Sequence, residues 1–125
     1  MRAVSDVSDL TPDPDCLFCS IASGAVPTDV VHESERTVAF RDVNPQAPTH
    51  VLVIPRRHEP DLAALVAADH EDVVAIATAV ADVALGEGLG DGYRVVFNTG
   101  PAAHQTVRHC HAHVLGGRDL GWPPG

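Results

Sequence analysis

His109-Cys110-His111-Ala112-His113-Val114-Leu115 carries three of the chain's eight histidines at alternate positions. Alternation of this kind, closed by apolar Val114 and Leu115, is the pattern of an extended, half-buried strand. Successive side chains on a strand point to opposite faces. The three imidazoles therefore share one face, and Cys110, Ala112 and Val114 point the other way into a core. At roughly 3.3 Å per residue, same-face neighbours leave the backbone about 6.5 Å apart, close enough to share one phosphate-sized ligand or one metal. A lone histidine on a strand is usually structural. Three on one face raise the cost of protonating them together, and a fold does not need that for its stability.

Two chemistries suit such a trio. Three imidazoles can hold a catalytic zinc with an open position, or the middle one can attack phosphorus to give a phosphohistidine that water then hydrolyses. Spacing alone leaves both open, although three ligands from one run of alternating positions converge awkwardly on a single point.

At 125 residues the chain makes one domain, long enough to bury a core of its own. Aromatic residues are only 4% of the chain, so Ala, Val and Leu must fill that core. The formal net charge is -9 and every basic residue is arginine. A chain this acidic is repelled by a nucleic-acid backbone or an anionic membrane, which argues against both as partners. A small phosphorylated ligand stays compatible, held by local dipoles. Three cysteines, an odd number, argue against a disulfide framework. No apolar run reaches membrane-spanning length, and Met1 to Asp15 lacks the basic start and apolar centre of a signal peptide. These features lead us to expect a cytoplasmic protein with reduced thiols.

Residues 1–14 read as a mobile tail, with residues 15–125 forming the domain. Cys16-Leu17-Phe18-Cys19 opens a short helix that Gly24 can end. The Cys-x-x-Cys pair is half of a zinc site or a redox pair, and tetrahedral zinc needs two further ligands. Val30 to His32 and Thr37 to Arg41 read as two strands joined by a polar turn, and Thr49 to Ile54 as a buried strand closed by Pro55. His50 stands at the start of that strand beside a loop. Arg56, Arg57 and His58 read as a solvated basic cluster. Asp61 to Val66 is a short helical stretch. The main helix begins near Asp69, where Asp72 three residues on suggests a capping box. Val73, Ile76, Ala77, Val80, Val83 and Ala84 give it one apolar stripe to pack on a sheet, and Gly86, Gly88 and Gly90 end it. Tyr93 to Phe97 is a further strand. It leads to a turn at Asn98-Thr99-Gly100-Pro101, so Asn98, Gln105 and Thr106 lie close to the trio as neutral polar groups able to bind a phosphate. Trp122 is the chain's only tryptophan and suggests contact with another surface.

The stretch from His109 to Leu115 resembles the His-φ-His-φ-His-φ-φ signature of the histidine triad superfamily. Asp42-Val43-Asn44-Pro45-Gln46-Ala47-Pro48-Thr49-His50-Val51-Leu52-Val53-Ile54-Pro55 is similar to a second block of that family. Val114-Leu115-Gly116-Gly117-Arg118 through Trp122-Pro123-Pro124-Gly125 is similar to the ending of its Hint branch. The resemblance covers roughly residues 16–125 and implies an α+β fold. In it, an antiparallel sheet of about five strands carries one long helix and a short N-terminal helix, and two subunits pair into a homodimer with a continuous sheet.

The resemblance also implies hydrolysis of purine nucleoside phosphoramidates, with a purine nucleotide as the small-molecule substrate. Carried over, His111 is the nucleophile, His113 contacts the phosphate, and a backbone carbonyl near His50 or His109 holds the nucleophile's other nitrogen. Asn98, Gln105 and Thr106 bind phosphate and Asp42 binds ribose. Phe18, Ile21, Val26, Phe40 and Val43 line the base pocket, and Trp122 reaches towards the partner's site. Cys16, Cys19, His50 and His109 match the ligand positions of members with a structural zinc, which supports the fold and is not needed by the chemistry. His104 departs from the pattern, standing where glycine is expected. A nucleotide-binding regulatory protein with vestigial hydrolysis is the alternative reading.

Overall fold

Five strands pair into one antiparallel sheet. The computed structural model describes residues 13–125, so the expected tail lies outside the described residues except for its last two positions. In chain order the elements are α1 (Leu17–Ala22), β1 (Val30–Glu33), β2 (Thr37–Arg41), β3 (Thr49–Pro55), α2 (Leu62–Ala68), α3 (His70–Gly86), β4 (Tyr93–Val96) and β5 (Ala112–Gly116). Their order across the sheet is β1-β2-β3-β5-β4, every neighbouring pair antiparallel. The α+β expectation holds. No described helix is long and apolar enough to cross a membrane.

Alternation along the strands sorts the sheet into two faces. Ala39, Val51, Val53, Cys110, Ala112 and Val114 pack with Ile76, Ala79, Val80, Val83 and Ala84 of α3 in the main core. Val38, Phe40, Leu52 and Ile54 face the other way and pack with Phe18 and Ile21 of α1. Among the described residues the helix cover on this second face is the six residues of α1, and the chemistry-bearing histidines gather there. Ala77, expected in the stripe of α3, is exposed, and Ala79 is buried in its place.

Local chemistry sets the helix ends. The Cys16 Sγ accepts the Cys19 N–H at 3.4 Å as the N-cap of α1, and Gly24, at φ 83°, turns the chain away after Ser23. Asp69 caps α3 by accepting the Glu71 N–H at 2.9 Å. The capping box with Asp72 does not form. Asp72 is drawn into a buried ion network instead, where its carboxylate takes Arg57 Nε on one oxygen and Arg36 at 2.8 Å on the other. Arg57 also pairs with Asp69 at 3.3 Å and is only 3% exposed. It is thus no solvated cation but the tie between the end of β3 and the start of α3.

Removing one member of a buried pair strands the other's charge, which costs about 3–5 kcal/mol. Asp72→Ala is therefore expected to lower stability by about that amount. Urea unfolding measures it, and a loss below about 1 kcal/mol would mean that the network is solvated after all.

Candidate active site and metal centre

The register of β3 against β5 decides which histidines meet. His50 pairs with Leu115 and Leu52 with His113, so His50 and His113 sit diagonally on one face. His50 Nε2 lies 2.9 Å from His113 Nδ1 and 3.4 Å from Asp42 Oδ2. His50 Nδ1 accepts the backbone N–H of Gln46 at 3.0 Å. A nitrogen that accepts carries no proton, so in the neutral ring Nε2 holds it and donates to His113 Nδ1. His113 then carries its own proton on Nε2.

His111 has the opposite state. Its Nδ1 is 2.7 Å from the His109 carbonyl, which can only accept. The proton is therefore on Nδ1, and Nε2 keeps a free lone pair. The rings of His111 and His113 are 5.0 Å apart at 62°. One offers a lone pair and the other an N–H donor. Burial lowers the pKa of His111 and His50, and burial with the neighbouring charges of His111 and His50 pushes His113 down to about 4. Both states are thus the neutral ones near pH 7. Asp42, His50 and His113 come close enough for a metal, but the proton on His50 Nε2 fills that space.

His109 serves another purpose. It is fully buried, and its Nε2–H donates to the Pro55 carbonyl at 2.8 Å. The lone pair on Nδ1 faces Cys16 Sγ at 3.4 Å, Cys19 Sγ at 3.5 Å and His58 Nδ1 at 3.2 Å, and Cys19 Sγ lies 3.3 Å from His58 Nδ1. Tetrahedral zinc with usual Zn–S and Zn–N bonds separates its ligand atoms by roughly 3.3–3.8 Å, close to this spacing. Burial pushes the Cys19 thiol up to about 11, so a thiolate there requires a cation beside it. His58 Nε2 points at Asp13 at 3.9 Å, which leaves Nδ1 for a metal. The donor set fits zinc.

The structure brings His58, rather than the expected His50, to Cys16, Cys19 and His109. Continued along the ladder, the place opposite His109 falls at residue 56, just past β3. His50 is six residues short of it, roughly 20 Å of extended chain. His58 follows that end directly. The signal in the sequence was a histidine three residues after the strand-closing Pro55, which the reading as a solvated cluster discarded. The trio is divided likewise: His109 turns to the cysteines, so the three rings do not converge on one catalytic metal.

Of the other expected site residues, Phe18, Ile21 and Phe40 are buried together on the site face. Val26 and Val43 are exposed, Val43 at 96%. Asp42 Oδ1 accepts the Asn44 N–H at 2.8 Å. Asn98 and Gln105 close the loop before β5. Asn98 donates to the Ala103 carbonyl at 2.8 Å, and Gln105 accepts the Gly100 N–H while donating to Pro60 and Val107 carbonyls. Thr106 is exposed, and so is Trp122, at 83%. His104 follows a 3-10 turn over Pro101–Ala103 at φ 65°, the one positive-φ residue other than glycine among those described. A left-handed backbone explains why glycine is expected there, and histidine is among the side chains that tolerate it.

Residues 23–120 match the family described as HIT domain. The chain belongs to the HIT family. Cys16 and Cys19 lie just ahead of the matched segment of this HIT domain. It is 47% identical over 116 residues to a 14 kDa zinc-binding protein from Zea mays, covering 90% of each chain. It is 41% identical over 116 residues to an Arabidopsis thaliana protein named adenylylsulfatase HINT1, covering 90% of this chain and 78% of that one. The solved structure of a HIT family hydrolase from Legionella pneumophila superimposes with a TM-score of 0.85 at 46% identity, over 89% of this chain and all of that one. These findings support a hydrolase at the level of the family.

Metal analysis checks this ligand set. Cys16→Ser and His58→Ala are each expected to lose most of the bound zinc, whereas His50→Ala keeps it. The reverse pattern would restore His50 as ligand. The hydrogen-bond chain has a separate consequence for stability. Unfolded, His113 takes a proton near its ordinary 6.5, and folded only near about 4. Between those values the unfolded state binds more protons, so stability falls as pH falls. His113→Asn is expected to lose stability less steeply than wild type across that window in urea titrations. Coincident profiles would show that His113 is not held neutral.

Proposed function

We propose that this HIT domain hydrolyses purine nucleoside phosphoramidates and related nucleotidyl conjugates to nucleoside monophosphate, through a covalent nucleotidyl intermediate on His111. The observation that carries this reading is the set of hydrogen bonds to the two rings, which assigns a lone pair to His111 Nε2 and an N–H to His113 Nε2 with the ring centroids 5.0 Å apart.

In the first step the His111 lone pair attacks phosphorus, a phosphorus–nitrogen bond forms to the imidazole, and the bond to the substrate's amine breaks. The ring becomes positively charged, and the Nδ1–H bond to the His109 carbonyl strengthens as it does. The His113 Nε2–H donates to a phosphoryl oxygen, where negative charge builds up. The departing amine takes its proton from solvent, because the neutral His113 keeps its Nε2–H on the phosphoryl oxygen. In the second step water attacks the phosphorus, the bond to His111 Nε2 breaks to restore its lone pair, and the proton lost by the water passes to solvent.

Asp42 holds the ribose, while Phe18, Ile21, Val26, Phe40 and Val43 surround the base. With the side-chain donors of Asn98 and Gln105 used to shape the loop, Thr106 contacts the phosphate directly. The Arabidopsis relative's name supports including adenylyl conjugates other than phosphoramidates in the substrate range. Cys16, Cys19, His58 and His109 would hold a structural zinc, which when bound would crosslink α1 to the sheet. No step of the reaction runs through it.

The functional unit is a cytoplasmic homodimer. β4 is a sheet edge, and Leu85, Tyr93 and Val95 near it are exposed, which is the apolar rim that a second copy would cover by continuing the sheet. Trp122, exposed on the single chain, then reaches the partner's site.

His111→Ala is expected to lower kcat for adenosine phosphoramidate by at least about 10³-fold while leaving the Kd for adenosine monophosphate within about 3-fold. Turnover near wild type in that variant would end the nucleophile assignment.

A further inference from the structure

The Cys16/Cys19/His58/His109 cluster is linked to His111 at two points, and a purely structural crosslink needs neither. The first is His109. Its ring is held at both nitrogens, by the Pro55 carbonyl at 2.8 Å on one side and by the thiols and His58 on the other. The carbonyl of the same residue, 2.7 Å from His111 Nδ1, decides which nitrogen of His111 carries the proton. The second is Phe18. It lies between Cys16 and Cys19, and its ring stands 5.0 Å from the His111 ring at 88°, with Phe40 behind it at 5.5 Å. The same ring is 6.0 Å from His109. α1 is six residues long, too short to be stable alone, so the groups that anchor its two cysteines set where Phe18 sits.

We propose that the Cys16/Cys19/His58/His109 cluster is a positioning device for the His111 imidazole, with Phe18 and the His109 carbonyl as its two arms. This rests on the reading of His111 as nucleophile. The cluster pins the carbonyl that keeps His111 in its Nδ1–H form, and it presses Phe18 against the ring so that Nε2 keeps its line of attack. Phe18 and His58 are positioning residues. A displacement of about 1 Å at a reacting group costs about 10²-fold in rate, which sets the size of the effect.

The test compares the full-length zinc-loaded protein with the same protein after chelation, and with His58→Ala and Phe18→Leu. Two readouts are taken: the ring-nitrogen NMR spectrum of His111 at about pH 8, where a free imidazole is neutral, and kcat and KM for adenosine phosphoramidate. The zinc-loaded protein is expected to show His111 in the Nδ1–H form alone. Chelation and His58→Ala, neither of which removes a substrate contact, are expected to mix in the Nε2–H form. They should also lower kcat by about 10- to 100-fold with KM within about 3-fold. Retention of a pure Nδ1–H form and full kcat without zinc would reduce the cluster to an anchor and overturn the proposal.

Should the zinc-free protein unfold, zinc-loaded Phe18→Leu decides the matter. A fall in kcat supports the positioning arm whether or not KM also rises, and a rise in KM with kcat unchanged places Phe18 only in the base pocket and overturns it. Turnover surviving in zinc-loaded His111→Ala would instead overturn the nucleophile reading. The tautomer of wild-type His111 would still report separately whether the cluster holds the ring.

Discussion

The Nε2–H of the buried His109 donates to the Pro55 carbonyl, and on that bond much else depends. It leaves Nδ1 bare, so the other side of the ring can face two cysteines and His58. It fixes the residue at the point where β5 is about to begin, and so fixes the carbonyl that claims the His111 Nδ1 proton. One residue thereby joins a candidate metal centre to the candidate nucleophile. The cost of burying an imidazole without water is offset because each of its polar atoms has a partner.

The sheet supplies the rest by simple geometry. β3 and β5 run antiparallel, with His50 diagonal to His113, and the Gln46 N–H sets the His50 ring. Protons are thus assigned along the chain Gln46, His50, His113 and, separately, from His109 to His111. Two histidines two residues apart end in complementary states because different neighbours hold them. The opposite face of the sheet packs Ala112 and Val114 against α3. The Arg57–Asp72–Arg36 network ties the far end of β3 to the start of that helix.

Much of this was legible in the sequence. The alternation of His109 to Val114 separates the chemical face from the core, although the regular strand starts only at Ala112 and His109 and His111 stand ahead of it. The strands Thr37–Arg41 and Thr49–Pro55 follow from their apolar, β-branched runs, the second closed by Pro55. What stayed hidden was pairing. Nothing local to His50 or His58 says which lies beside His109, because that depends on the β3–β5 register, which brings His58 there. Arg57 and Asp72 were misread for the same reason. A charged residue near a strand end reads as solvated until the helix that covers it brings the opposite charge. The exchange of Ala79 for Ala77 arises because a stripe of small residues leaves the helix's rotation about its axis loosely specified.

The central claim is that the Nε2 of His111 makes the covalent bond to phosphorus, because the His109 carbonyl holds the proton on Nδ1. Trapping the nucleotidyl intermediate by rapid quench and locating the added group, by residue and by ring nitrogen, tests this most directly. The account predicts nucleotidylation of His111 at Nε2. Attachment at Nδ1, or on any other residue, would contradict it.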